Sequence, residues 1–154
     1  MISTAATLSH RFAHRYAGFA ALVDKLQPIF ALALRLYVAR VFLTSGLIKL
    51  QNWPSTLGLF ENEFHVPVLS ASSAAVIGTG AEILLPGLLA LGLGTRLSAF
   101  ALFVFNIIAV ISYPDLSDAG LKDHILWGAL LLVTLIYGPG KIAVDRLFER
   151  RSTP

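Results

Sequence analysis

The 154-residue chain contains no cysteine. That absence excludes disulfides, thiolate metal sites, iron–sulfur clusters and thiol redox chemistry carried by the chain itself. Any electron transfer through it has to use a bound cofactor or belong to a partner. Charge is scarce as well: 14% of residues are charged, 56% are hydrophobic, and the mean hydropathy is +0.73. Soluble domains carry about a quarter charged residues, so this composition describes an integral membrane protein. Walker loops, dinucleotide fingerprints, nucleophile elbows and His-Glu-x-x-His motifs are also missing. Nothing in the chain points to a nucleic-acid partner.

What is present is four apolar runs near the roughly 20 residues that cross a hydrocarbon core. They cover Pro28 to Leu50, Ser70 to Leu93, Arg96 to Ser112 and His124 to Gly138. The expected fold is all-α: an integral membrane, antiparallel four-helix bundle with interfacial amphipathic segments at the termini. Residues 1–27 read as an amphipathic amino-terminal segment, with Leu8, Phe12, Phe19, Leu22 and Leu26 able to share a face. Residues 28–140 form the transmembrane domain, and 141–154 a basic amphipathic tail. Positive charge gathers at the amino-terminal flank, at Arg96 and in the tail (Lys141, Arg146, Arg150, Arg151). The other connections hold Glu61, Glu63, Asp115, Asp118 and Asp123. By the positive-inside rule both termini are cytoplasmic, in a multi-pass protein of the bacterial inner membrane. Between the first two runs, Ser55 or Thr56 is placed to cap a short surface helix bearing Leu57, Phe60 and Phe64 on one stripe. Tyr113 to Asp123 reads as a loop.

Glu82 is the anomaly, a carboxylate deep in the second run, where ionisation costs several kcal/mol without a partner. Pro86 leaves the carbonyl of Glu82 without its helical hydrogen bond and predicts a kink there. In the first run, Arg35, Ala39, Phe42, Gly46 and Lys49 share one helical face, with Arg40 about 140° away from Arg35. Counting depth from opposite membrane faces nevertheless makes Arg40 the match for Glu82. Arg35 is then left to snorkel or join Arg96, and Lys49 to reach the outer headgroups. Two readings follow. Arg40 and Glu82 form a structural ion pair that fixes helix register, or they belong to a polar pocket. In that pocket Glu82 accepts or donates a proton and Arg40 or Arg35 orients a quinone carbonyl, with Asn106 adding an amide. The alternative for Asn106 is an interhelical hydrogen bond. At the outer surface His65, Asp123 and His124 are weak metal candidates. The plainer account of the last two is a helix start, with Asp123 near the positive dipole end and Trp127 in the aromatic belt.

The ordered combination of Arg40, Phe42, Gly46 and Lys49, then Gly80-Ala-Glu82 with Pro86-Gly87, then Leu91-Gly-Leu-Gly-Thr-Arg96, resembles the DoxX family of small four-helix bacterial membrane proteins. The resemblance runs from about Leu34 to Asp145. It implies the four-helix topology and recurrent polar positions at Arg40, Lys49, Glu82 and Arg96. Members of the family include the membrane subunit of a thiosulfate-to-quinone oxidoreductase and proteins associated with oxidative or catechol stress. The expected function is therefore a quinone-linked redox component, or a membrane subunit that receives electrons from a soluble partner. An accessory protein of a metal-handling or oxidative-stress system is the alternative, with a small proton-linked transporter third. Small-residue helix faces leave room for a homodimer.

Overall fold

A computed structural model describes residues 2–149, with side chains from 15 to 148. Among these residues every regular element is helical. In chain order they are α1 (Ile2–Gln51), α2 (Trp53–Asn62), α3 (Ala71–Leu91), α4 (Thr95–Ser112), α5 (Asp118–Tyr137) and α6 (Asp145–Glu149). Four of them, α1 from Arg15 onward together with α3, α4 and α5, are long and apolar enough to cross a bilayer. In a bilayer such segments must be helical, because backbone groups there have no water to bond. The spans pack in a ring, with α1 against α3, α3 against α4, α4 against α5, and α5 closing lightly on α1.

Several boundaries differ from the sequence reading. The amino-terminal segment and the first span are one helix of 50 residues that passes through Pro28. At about 1.5 Å per residue it is some 75 Å long, far more than a hydrocarbon core of about 30 Å. From Tyr16 to Leu26 its large apolar side chains are exposed. Leu8 and Phe12 lie outside the residues with described side chains. The surface helix α2 is capped by Asn52, whose Oδ1 accepts from the Ser55 N–H at 3.1 Å. Thr56 instead ties α2 to the end of α1, donating its hydroxyl to the Lys49 carbonyl at 2.8 Å. The fourth span starts six residues earlier than expected, because Ser117 caps it by accepting from the Gly120 N–H at 3.1 Å. Asp123 and His124 therefore sit in its second turn.

The core is a girdle of Val38, Phe42, Leu89, Ala99, Leu102 and Leu131, one layer drawn from all four spans. Phe42 meets Phe105 and Trp127 edge-on, with ring centroids 6.2 and 5.8 Å away. Trp127 is thus half-buried against the bundle core, held by aromatic packing. A second cluster forms under α2, where Phe60 covers Ala74 and Ala75 of α3. α3 runs unbroken through Pro86.

α1 and α3 approach each other tightly at Gly46. A Cβ there would stand 2.8 Å from Ile83 Cγ1, 2.9 Å from Glu82 Cβ and 3.2 Å from the Glu82 carbonyl carbon. Two of these obstacles are backbone or Cβ atoms that no rotamer change removes. Gly46→Ala should therefore push the helices apart and destabilise the bundle by about 1–3 kcal/mol. Unfolding of the detergent-solubilised variant by heat or SDS measures this; an unchanged midpoint would contradict the contact.

Candidate functional site

Glu82 is buried on the inward face of α3, and its partner is Lys49. The ammonium nitrogen lies 2.7 Å from Oε1 and 2.5 Å from Oε2. Ser45, one turn before Lys49, accepts from Nζ at 3.0 Å and donates to Glu82 Oε1 at 3.2 Å. The i, i+4 spacing on α1 thus supplies both a cation and a hydroxyl to one carboxylate. Ser45 escaped the sequence reading; its place four residues before a lysine on the inward face is the signal that could have found it.

The expected Arg40–Glu82 pair is not what the structure contains: Arg40 lies exposed on α1. Helix register explains the difference. Gly46 meets Glu82, so α1 ends five residues (about 7.5 Å) past that contact, whereas α3 begins eleven residues before Glu82. α3 therefore overshoots α1, and α2 covers the excess. Depth counted from the ends of the apolar runs misplaced the carboxylate relative to α1. Lys49 can reach it because helical side chains lean back toward the amino terminus.

Around the ion pair the bundle is not filled. A cavity of about 410 Å³ opens between α1, α4 and α5, with Phe42, Phe105, His124 and Trp127 on its walls. A smaller one, about 250 Å³, lies between α2, α3 and α4 and is lined by Phe60, Gly78 and Ser112 among others. Lys49, Glu82, Phe64, Phe105 and Ala109 border both, so the charged pair stands in the partition between two apolar chambers. Two of the lining residues carry a polar atom that is itself fully buried and has no hydrogen-bond partner, the Trp127 indole N–H and the Ser112 hydroxyl. Each unsatisfied buried group costs about 1–3 kcal/mol.

Asn106 does not border these chambers. Its amide donates to the His124 carbonyl at 2.9 Å, and its Oδ1 lies 2.7 Å from His124 Nδ1. The α4–α5 pair is locked by this clasp, the interhelical role that stood as the alternative. His124 is thereby turned inward, its ring 4.8 Å from that of Trp127. Asp123 is exposed on α5, and His65 is exposed beyond α2, its backbone N–H donating to the Ser112 carbonyl at 2.7 Å. These three residues do not converge, and among the described residues no group of three or more His, Asp or Glu is placed to hold a metal. The chamber is capped at the α2 end by Phe64 and Tyr113, with ring centroids 5.1 Å apart. The Tyr113 hydroxyl donates to Glu63 Oε2 at 3.1 Å, and this bond with the Glu63 charge pushes the phenol pKa above its ordinary value.

Arg35 is spent elsewhere, at the opposite end of the bundle. It is 1% exposed and donates to the carbonyls of Leu89 (3.5 Å) and Ile142. A cation at the carboxyl end of α3 is favoured by the helix dipole. Asp145 completes the knot by accepting from the N–H groups of Gly94 (2.7 Å) and Thr95 (2.8 Å) and from the Thr95 hydroxyl (2.7 Å). The post-α5 chain is thus fastened to the first turn of α4, assisted by the Asp145 N–H bond to the Gly92 carbonyl at 2.9 Å. The sequence reading missed this tie, which joins residues about 50 positions apart without a local signal.

Partial burial opposes ionisation of Asp145, but the bonds from Thr95 and Gly94 and the charge of Arg35 outweigh it, so its pKa lies below the usual carboxylate value. With the folded pKa depressed, the stabilisation is whole above the unfolded value near 4 and is lost as pH falls through the lower folded value. Protection of the Gly94 and Thr95 amides, exchange measured relative to the intrinsic rate at the same pH, should therefore hold from pH 8 to about 5 and fall only below about 4. Asp145→Asn should lower it at neutral pH. Loss of protection already at pH 6 would contradict the assignment.

Fold and site together define a class: a small four-helix membrane protein with a lysine–glutamate pair set between two apolar chambers. The DoxX family profile matches residues 30–114, from within α1 to just past α4, and the chain belongs to the DoxX family. It is similar to an uncharacterized protein of Haemophilus influenzae, 30% identical over an alignment of 128 positions that covers 77% of this chain and 83% of the relative. No solved structure matches it.

Proposed function

We propose that the chambers beside Lys49–Glu82 bind the head of a quinone and that the protein serves as a quinone-linked membrane subunit. The observation that carries this reading is an ion pair bordering two largely apolar cavities. A pair serving register alone would be enclosed by side chains. The larger chamber, about 410 Å³, falls within the ~300–1,000 Å³ typical of small-molecule sites. Its flat aromatic walls suit a ring, and the Lys49 ammonium at its edge suits a carbonyl oxygen.

Reduction of a quinone to a quinol takes two electrons and two protons. The chain has no cysteine, and the reading assigns the electrons to a soluble redox partner. Its own residues position the head, while the Lys49–Glu82 pair supplies one proton to one oxygen and the other oxygen takes its proton from water. Basic residues crowd the termini and the α3–α4 link, and by the positive-inside rule this supports a reading with both termini in the cytoplasm and the Lys49 end of the bundle toward the outer face.

A Trp53→Phe background leaves Trp127 as the sole tryptophan. A short-chain quinone should quench its emission saturably, and a folded Lys49→Met/Glu82→Leu protein should bind it at least tenfold more weakly. Absence of saturable quenching, or unchanged affinity in that double variant, would sink the reading.

A further inference from the structure

The geometry points to an anionic-phospholipid site at the opposite end of the bundle, in the gap between α1 and α5, with an acyl chain in the gap and the phosphate at Lys141 and Arg146. The ring of spans is weakest at the α1–α5 contact, and there a cavity of about 550 Å³ opens. Its floor is apolar, with Phe30, Ala31 and Leu34 from α1 facing Val133 from α5. Its rim is basic.

The Gly138-Pro-Gly140 turn produces that rim. Both glycines have positive φ, 81° and 75°, which lets the chain reverse directly after α5. Gly140 comes so close to α1 that a Cβ on it would lie 2.9 Å from Ala31 Cβ. The reversal lays Lys141 and Arg146 along the edge of the gap, Arg146 held by donating its Nε–H to the Gly140 carbonyl at 3.2 Å. Arg96 lies against the same turn, its guanidinium 3.2–3.7 Å from where a Gly138 Cβ would be. Asp145 takes bonds from Gly94 and Thr95, and Asp24, one turn before Pro28, accepts from the Gln27 amide at 2.8 Å.

A groove with an apolar floor and a cationic rim at the end of two spans meets a phospholipid at the depth where its phosphate lies. Charge complementarity selects the anionic species over the zwitterionic. The inference is independent of quinone binding, since the two sites share no residue.

The test uses the full chain in detergent, with lipid binding followed by native mass spectrometry. Phosphatidylglycerol should be retained at least fivefold more tightly than phosphatidylcholine of the same chains. Lys141→Gln should weaken phosphatidylglycerol alone by about fivefold, the usual contribution of one basic residue at a membrane surface, while Lys122→Gln at the other end should not. Val133→Trp, which fills the gap, should abolish the preference; should that variant not fold, the lysine pair decides. Equal retention of the two lipids, equal effects of the two lysine variants, or displacement by millimolar inorganic phosphate would each overturn the proposal.

Discussion

Lys49→Met should destabilise the bundle by about 3 kcal/mol, and adding Glu82→Leu to the same chain should restore most of the loss. Glu82 and Lys49 have side-chain exposures of only 9% and 14%, so neither charge is well hydrated. Removing one partner of a pair shielded in this way leaves an uncompensated charge and costs about 3–5 kcal/mol, whereas replacing both with apolar groups of similar size is close to neutral. The single variants should also differ. Glu82 has a short side chain on an inward face, so losing Lys49 leaves its charge with Ser45 as the remaining donor. Lys49 is two residues from the end of α1, so without Glu82 its ammonium can turn toward the α2 end of the membrane. Glu82→Leu should therefore cost less than Lys49→Met. Unfolding in mixed micelles across the four proteins gives the cycle directly. A double variant whose loss equals the sum of the singles would show that the two side chains do not stabilise each other.

The same cycle separates the structural and ligand-binding roles of the pair. If the double variant recovers its stability but loses quinone quenching, register and recognition have been uncoupled in one folded protein. Stability alone cannot make that distinction, because an ion pair that only locks α1 on α3 predicts the same recovery.

The all-helical bundle was legible from composition and run length, because lipid admits few alternatives for a spanning segment. The inward face of α1 was legible too: a periodicity of about 100° per residue grouped Arg35, Ala39, Phe42, Gly46 and Lys49, and in the structure all but the half-buried Lys49 are fully buried. The partner of Glu82 was not legible from depth, since apolar run ends do not mark a common plane when one helix overshoots its neighbour. Gly46 was the missing cue, because a glycine on a packed face fixes where two axes come closest. Caps were misplaced for a related reason. Asn52 and Ser117 both sat in stretches with several eligible side chains, and only the backbone path selects among them. Arg35 is the extreme case, its partners lying on α3 and on the chain beyond α5, at separations for which one sequence offers no pattern.

That distant knot gives the second large effect. Gly92→Ala should lower stability by about 3 kcal/mol and release the segment after α5, while Gly94→Ala two residues later should cost only about 1–2 kcal/mol. Both glycines are left-handed, with φ of 72° and 56°, so either substitution bears the backbone penalty. Only Gly92 is crowded: a Cβ there would lie 2.6 Å from Ala143 Cβ, 3.0 Å from Ala143 Cα and hard against the Arg35 guanidinium. Gly94 has open space around it. The difference between the variants therefore isolates the packing of Arg35 and Ala143 from backbone strain. Displacing the guanidinium also removes the donor to Ile142 and the charge beside Asp145, so the segment from Lys141 onward should loosen. Limited proteolysis after Lys141 and Arg146 in detergent reads this out: rapid cleavage in Gly92→Ala, with Gly94→Ala close to the parent. Equal cleavage in both would mean that the glycines matter only for the turn, and that the buried arginine does not hold the chain in place.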